Sequence, residues 1–153
     1  LNIPFPATGN EDTGVAFDVE TGGKPLSESE EVRITDWVKT IIDARGGQLG
    51  QLSYILCDDN YLHQINLEYL NHDTLTDIIT FPLQDFPIVG GDIFISTQRV
   101  MENAKELGVP YEQELKRVII HGVLHLSGQG DKTAEEAREM RKLEEWALSM
   151  DKS

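Results

Sequence analysis

The order of segments predicts an α+β domain, a small mixed sheet with helices packed mainly against one of its faces. Three observations carry this. Short apolar runs of strand length alternate with two helical segments between residues 15 and 96, three more helical segments follow from residue 97, and 153 residues without an internal repeat suit a single domain spanning 1–153. A chain of this size buries about two thirds of its unfolded surface, enough for a core without disulfide staples.

Residues 1–25, with Pro4, Pro6, Gly9, Gly14, Gly22, Gly23 and Pro25, read as a loop-rich approach holding one short strand from Val15 to Val19. Ser27 followed by Glu30 forms a capping box, and Val32, Trp37, Ile41 and Ile42 continue at helical spacing until Gly46 and Gly47. Leu52 to Cys57 is an apolar strand. Asp58 or Asp59 then caps a second helix carrying Leu62, Ile65 and Tyr69 on one face.

After the polar turn Asn71 to Thr74, a strand is expected from Thr76 to Phe81, closed by Pro82, and another from Asp92 to Ser96. The intervening loop, Leu83 to Val89, suits a wide antiparallel hairpin. Ser96 or Thr97 caps a helix ending near Gly108, and Pro110 opens one running to Gly128. Thr133 and Glu136 make a second capping box for a last helix with Met140, Leu143, Trp146 and Ala147 inward.

Thirteen Lys and Arg against 27 Asp and Glu give a net charge of −14, which argues against a nonspecific, charge-driven grip on nucleic acid or anionic membrane. The single Cys57 excludes an internal disulfide framework and points to a reducing, cytoplasmic location. No apolar stretch approaches 18 residues, and the first 25 residues lack a basic segment followed by a hydrophobic one, so neither a membrane span nor a classical signal peptide is expected.

The informative stretch runs from His121 through His125 and Gly128 to Asp131. Helical residues four apart lie about 40° apart around the axis, so both imidazoles can address one ion from the same face. Gly128 can take the left-handed conformation that ends the helix, and Gln129-Gly130 can return the Asp131 carboxylate to the same point. The negative end of the helix dipole adds a modest preference for a cation. Three protein ligands would leave a position for water, the mark of a catalytic rather than a closed site. The competing reading is a buried or surface histidine pair, because two histidines at spacing four form a weak motif by themselves.

The segment His121-Gly-Val-Leu-His125-Leu-Ser-Gly128-Gln-Gly-Asp131 resembles the signature of the YbeY family of metal-dependent endoribonucleases. Asn66 to Tyr69, Thr76 to Pro82 and Gly91 to Ser96 are similar to the family's other recurrent blocks, in the family's order, so the resemblance covers roughly Leu52 to Leu148. It implies a YbeY-like, metalloprotease-like fold with the metal site at the end of a central helix. It also implies one zinc ion, with another divalent metal as the alternative, and a role in ribosomal RNA maturation and ribosome quality control. Two departures stand out. Asp131 occupies the place of the family's usual third histidine, and Leu70 follows Tyr69 where the family commonly has an arginine. An arginine there would be a natural phosphate clamp.

Arg117 is the substitute visible in sequence for substrate binding, since Gln113, Arg117, His121 and His125 form a polar stripe at spacing four. Its plainer role is a surface pair with Glu114. His72 can border the cleft or serve the turn, His63 reads as solvated, and Asp92 either orients a ligand histidine or bonds locally to backbone. No general base is identifiable. Gly122 stands where an HExxH protease has glutamate, which leaves metal-bound water as the expected nucleophile.

The leading reading is a single-strand-specific, metal-dependent endoribonuclease, with the metal on His121, His125 and Asp131. The alternatives are a non-catalytic ribosome-assembly factor with a structural metal and a metal-dependent peptidase. Single-stranded or ribosomal RNA is the expected partner, joined by small-subunit ribosomal proteins, toward which the acidic balance points. A monomer is favoured.

Overall fold

The computed structural model describes residues 14–151. The loop-rich reading of residues 1–13 lies outside them. Nine elements follow in the order β1 (Val15–Val19), α1 (Glu28–Ala44), β2 (Gln48–Cys57), α2 (Asp59–Leu70), β3 (Ile78–Pro82), β4 (Ile88–Ser96), α3 (Thr97–Leu107), α4 (Tyr111–Leu126) and α5 (Ala134–Ser149). The four strands form one mixed sheet ordered β1-β2-β4-β3. β1 and β2 are parallel, as are β2 and β4, while β3 returns antiparallel to β4 with Ile78 opposite Ile95 and Phe81 opposite Asp92.

The caps form as their residue types dictate. Ser27 and Thr133 each accept the backbone N–H three residues on and are answered by Glu30 and Glu136, so both capping boxes close. Asp58 caps α2 and Ser96 caps α3 through the same kind of bond. Two strands are longer than expected. β2 begins at Gln48 and β4 at Ile88, and Leu83 to Pro87 alone joins β3 to β4. Gly50, Gly90 and Gly91 interrupt the apolar pattern there, and the β2/β4 register shifts between Leu49 and Leu52. Glycines in a strand mark such irregularities and carry no side chain to reveal the period. β3 starts two residues late because Asp77 gives only its carbonyl to the ladder, accepting from Ser96 N–H at 3.0 Å.

One face of the sheet packs Leu52, Tyr54, Leu56, Ile93 and Ile95 against buried residues of α1, α3, α4 and α5. The other face packs Ile55, Cys57 and Phe94 against Leu62 and Ile65 of α2. Four helices thus cover one face and a single helix the other. The indole N–H of Trp37 donates to the Ala147 carbonyl at 2.8 Å, tying α1 to α5 across the shared core.

α4 is the central helix. Ile119, Ile120, Val123 and Leu124 are fully buried, each worth about 1.5–3 kcal/mol relative to exposure, so the backbone that carries the two histidines is held firmly. Gly122 lets it sit close: a Cβ there would stand 2.9 Å from Ile93 Cδ1 and 3.1 Å from Ile78 Cδ1. The glycine that replaces the zinc-protease glutamate is therefore a contact point between helix and sheet.

Candidate functional site

α4 ends as its sequence requires. Gly128 takes φ +97°, and the N–H groups of Gly128 and Gln129 donate to the carbonyls of His125 and Leu124, each at 3.0 Å, the paired bonds of a Schellman turn. The turn also sets a histidine. His125 Nδ1 lies 3.2 Å from the Gln129 carbonyl, which can only accept, so Nδ1 carries the proton and Nε2 keeps its lone pair.

His121 lies one turn earlier with its ring stacked on that of His125, centroids 6.4 Å apart and planes within 12°. Its Nδ1 is 2.6 Å from Glu144 Oε2 on α5, and its Nε2 is 3.3 Å from Asp131 Oδ2. Two donors bound to one tetrahedral zinc at about 2.0–2.1 Å stand about 3.3 Å apart, so the His121–Asp131 pair has coordination spacing. Asp131 is not the cap of α5, a task Thr133 performs.

His121, His125 and Asp131 line one cleft of about 620 Å³ together with Asn66, Leu70, His72, Thr74, Thr76, Asp77, Thr80 and Lys132. The wall opposite α4 is the loop after α2. Buried Asn66 holds it, its Nδ2 donating to the Thr74 carbonyl at 2.9 Å, and His63 pairs with Asp73 at 2.8 Å at its outer edge. His72 borders the cleft, whereas His63 is paired rather than merely solvated. Lys132 is the one Lys or Arg among the described lining residues.

Arg117 does not line this cleft. Its Nε donates to Glu114 Oε1 at 2.9 Å, its Nη2 to Glu114 Oε2, and its Nη1 to Glu144 Oε1 at 3.0 Å. The pairing with Glu114 is present and partly buried, and three of the guanidinium's five N–H donors are held by protein carboxylates away from the cleft, so this arrangement gives no support to a phosphate clamp at Arg117. Asp92 also stands apart. It alternates with Ile93 and so shares the α2 side of β4 with Phe94, away from the histidines, buried with Oδ2 unpartnered.

The electrostatics follow from these contacts. Burial opposes a charge on His121, but the hydrogen bond and charge of Glu144, then Asp131 and Asp77, together outweigh it and raise its pKa above the ordinary value. Burial likewise opposes the Glu144 carboxylate, and His121 and Arg117 together reverse it, leaving Glu144 lowered and ionised. Asp77 is raised, burial winning over the nearby His121 charge.

The donor chemistry fits a divalent metal such as zinc: two imidazoles whose Nδ1 atoms are both engaged by acceptors, and a half-exposed carboxylate. Among the described residues, however, no three His, Cys, Asp or Glu side chains stand close enough together to hold a metal ion as they are placed. Sequence reasoning missed Glu144 and Asp77. The signal for Glu144 was present, since it falls on the stripe Met140, Leu143, Ala147 of α5, a carboxylate at a core position.

Known proteins agree with this architecture. The family model described as Endoribonuclease YbeY matches residues 23–150. The Endoribonuclease YbeY of Flavobacterium johnsoniae is 46% identical over 136 residues, covering 89% of this chain and 96% of that protein. That of Bacteroides thetaiotaomicron is 39% identical over 136 residues, covering 89% and 99%. The solution structure of TM1509 from Thermotoga maritima superposes with a TM-score of 0.59 at 24% identity, covering 91% of this chain and 95% of that one, a likeness of fold. No described helix is long and apolar enough to cross a membrane. Family match, relatives and fold agree over nearly the whole described chain, and the chain belongs to the YbeY endoribonuclease family.

Proposed function

We propose that the chain hydrolyses phosphodiester bonds of single-stranded RNA in ribosomal RNA maturation and quality control, through a zinc ion held by His121, His125 and Asp131. The observation that carries the reading is that these three side chains line one cleft, with His121 Nε2 and Asp131 Oδ2 3.3 Å apart. Bound zinc would supply Lewis-acid polarisation of a phosphoryl oxygen. The rest falls to the chain. The Gln129 carbonyl and Glu144 orient the two rings. Lys132 offers a phosphate its positive charge, and Thr74, Thr76 and Thr80 line the wall with hydrogen-bonding groups suited to sugar and base. A net charge of −14 disfavours long duplex contacts and favours a short single strand at one local patch.

The same charge favours a second reading, in which the protein docks on a basic ribosomal protein and its metal is structural. The deciding experiment is metal analysis of the purified chain beside cleavage of a single-stranded RNA with and without chelator, repeated for His121→Ala and His125→Ala. Bound zinc, chelator-sensitive cleavage and loss of both in the variants support the nuclease. RNA or protein binding without cleavage supports the assembly factor, and full metal occupancy in either variant removes the site.

A further inference from the structure

Four ionisable side chains run in one hydrogen-bonded file from the α4/α5 interface to the cleft. Glu114 and Glu144 are carboxylates only 2% exposed. Arg117 joins them, giving two donors to Glu114 and Nη1 to Glu144 Oε1 at 3.0 Å, and the second oxygen of Glu144 meets His121 Nδ1 at 2.6 Å. The far side of the His121 ring faces Asp131 and the cleft.

Stability alone gives a weak reason for this file. Buried ion pairs are often replaced by apolar residues at no loss, because desolvation consumes most of the attraction. Glu144 sits on the apolar stripe of α5, where a leucine or methionine would pack. The charges are also unbalanced: two carboxylates face one guanidinium, and the surplus negative charge is presented to the one member that reaches the cleft. A group of this kind behind a histidine fixes its tautomer and direction and raises its strength as a ligand.

We propose that Glu144 is the positioning residue of the site. Clamped by Arg117 and, through it, by Glu114, it holds His121 with the proton on Nδ1 and the Nε2 lone pair directed into the cleft. The relay's purpose rests on the metal reading given above, but its geometry can be tested without metal. Glu144 serves two donors with two oxygens, so Glu144→Gln must present an amide N–H₂ to one of them and cannot reproduce the arrangement.

The test has two arms. In metal-free full chain at about pH 9, well above the ordinary histidine value of 6.5, long-range ¹H–¹⁵N correlation of the side chains reads the His121 tautomer. The Nδ1–H form is expected in the parent, shifting toward the Nε2–H form that solvent favours in Glu144→Gln and Glu144→Ala. In the second arm, zinc affinity by competition with a chromophoric chelator is expected to fall about 10–100-fold in both variants, with Arg117→Lys weakening it less. An Nε2–H tautomer in the parent, or parent-like zinc affinity in a folded Glu144 variant, overturns the relay. If the parent itself binds no zinc, the metal reading fails while the tautomer arm still decides whether Glu144 positions His121.

Discussion

Asp131 Oδ2 stands 3.3 Å from His121 Nε2, while the cap of α5 belongs to Thr133 two residues further on. The aspartate therefore faces His121 and does not cap the helix that follows it. Asp131→Asn should lower zinc affinity by at least about 100-fold, more than loss of an outer hydrogen bond produces. Because the side chain is 40% exposed and caps nothing, unfolding measured with chelator should change by no more than about 0.5 kcal/mol. Asp131→His should keep the metal, since zinc accepts either donor. Parent-like affinity in the Asn variant would place the third donor elsewhere, with His72 the nearest cleft histidine.

The metal-free protein should show a stability maximum in mildly acid solution. His121 is raised above 6.5, so it binds its proton more tightly folded than unfolded, and the stability this adds is fully present below 6.5 and lost as pH rises through its folded value. Glu144 is lowered below 4.5, so its contribution is present above 4.5 and lost as pH falls through its folded value. Melting in chelator across pH 4 to about 9 checks this: His121→Asn should flatten the decline that begins above 6.5, leaving the fall near pH 9 that burial of the Cys57 thiol produces. Zinc affinity should show the opposite slope, rising with pH, because proton and ion compete for Nε2.

Arg117 and Lys132 should separate cleanly. Arg117→Ala leaves two buried carboxylates without their shared cation and should cost about 3 kcal/mol, near the low end for a broken buried pair because the guanidinium is 22% exposed. Lys132→Ala should leave melting within about 0.5 kcal/mol, raise the KM for single-stranded RNA, and reduce the slope of log affinity against log salt by about 0.7, one phosphate contact. An unchanged salt slope in Lys132→Ala would remove that contact.

Gly122→Glu would write the zinc-protease pattern into α4, and it should abolish folding rather than create a peptidase. A Cβ alone meets Ile93 and Ile78 at 2.9 and 3.1 Å, and a carboxylate forced into that apolar contact adds a penalty of several kcal/mol. Gly122→Ala is the milder test. Overpacking of about 1–3 kcal/mol outweighs the roughly 1 kcal/mol of helix propensity gained, so the melting temperature should drop modestly. A stable, folded Glu variant would contradict the tight helix–sheet contact.

The local rules were legible in sequence. Capping boxes at Ser27 and Thr133, the glycine stop at Gly128 and the spacing of His121 and His125 each depend on residues within a turn of one another, and all four appear as the pattern dictates. Where pairing partners lie far apart, the pattern was silent. The early starts of β2 and β4 were hidden by Gly50, Gly90 and Gly91, whose places in the sheet are set by neighbouring strands and not by their own side chains. Arg117 illustrates the same divide: on its own helix it is one member of a polar stripe, and only the arrival of Glu144 from α5 turns it inward.

By itself, then, the sequence determined the elements and placed His121, His125 and Asp131 within reach of one cleft, because helical period, caps and turn glycines act over a few residues. Tertiary structure alone decided the strand order, the wall that Asn66 holds over the site, and the pairing of His121 with Glu144 across 23 positions. The physical reason is that a buried charge takes whatever partner the packing of two helices delivers, and no local periodicity encodes which residue that will be.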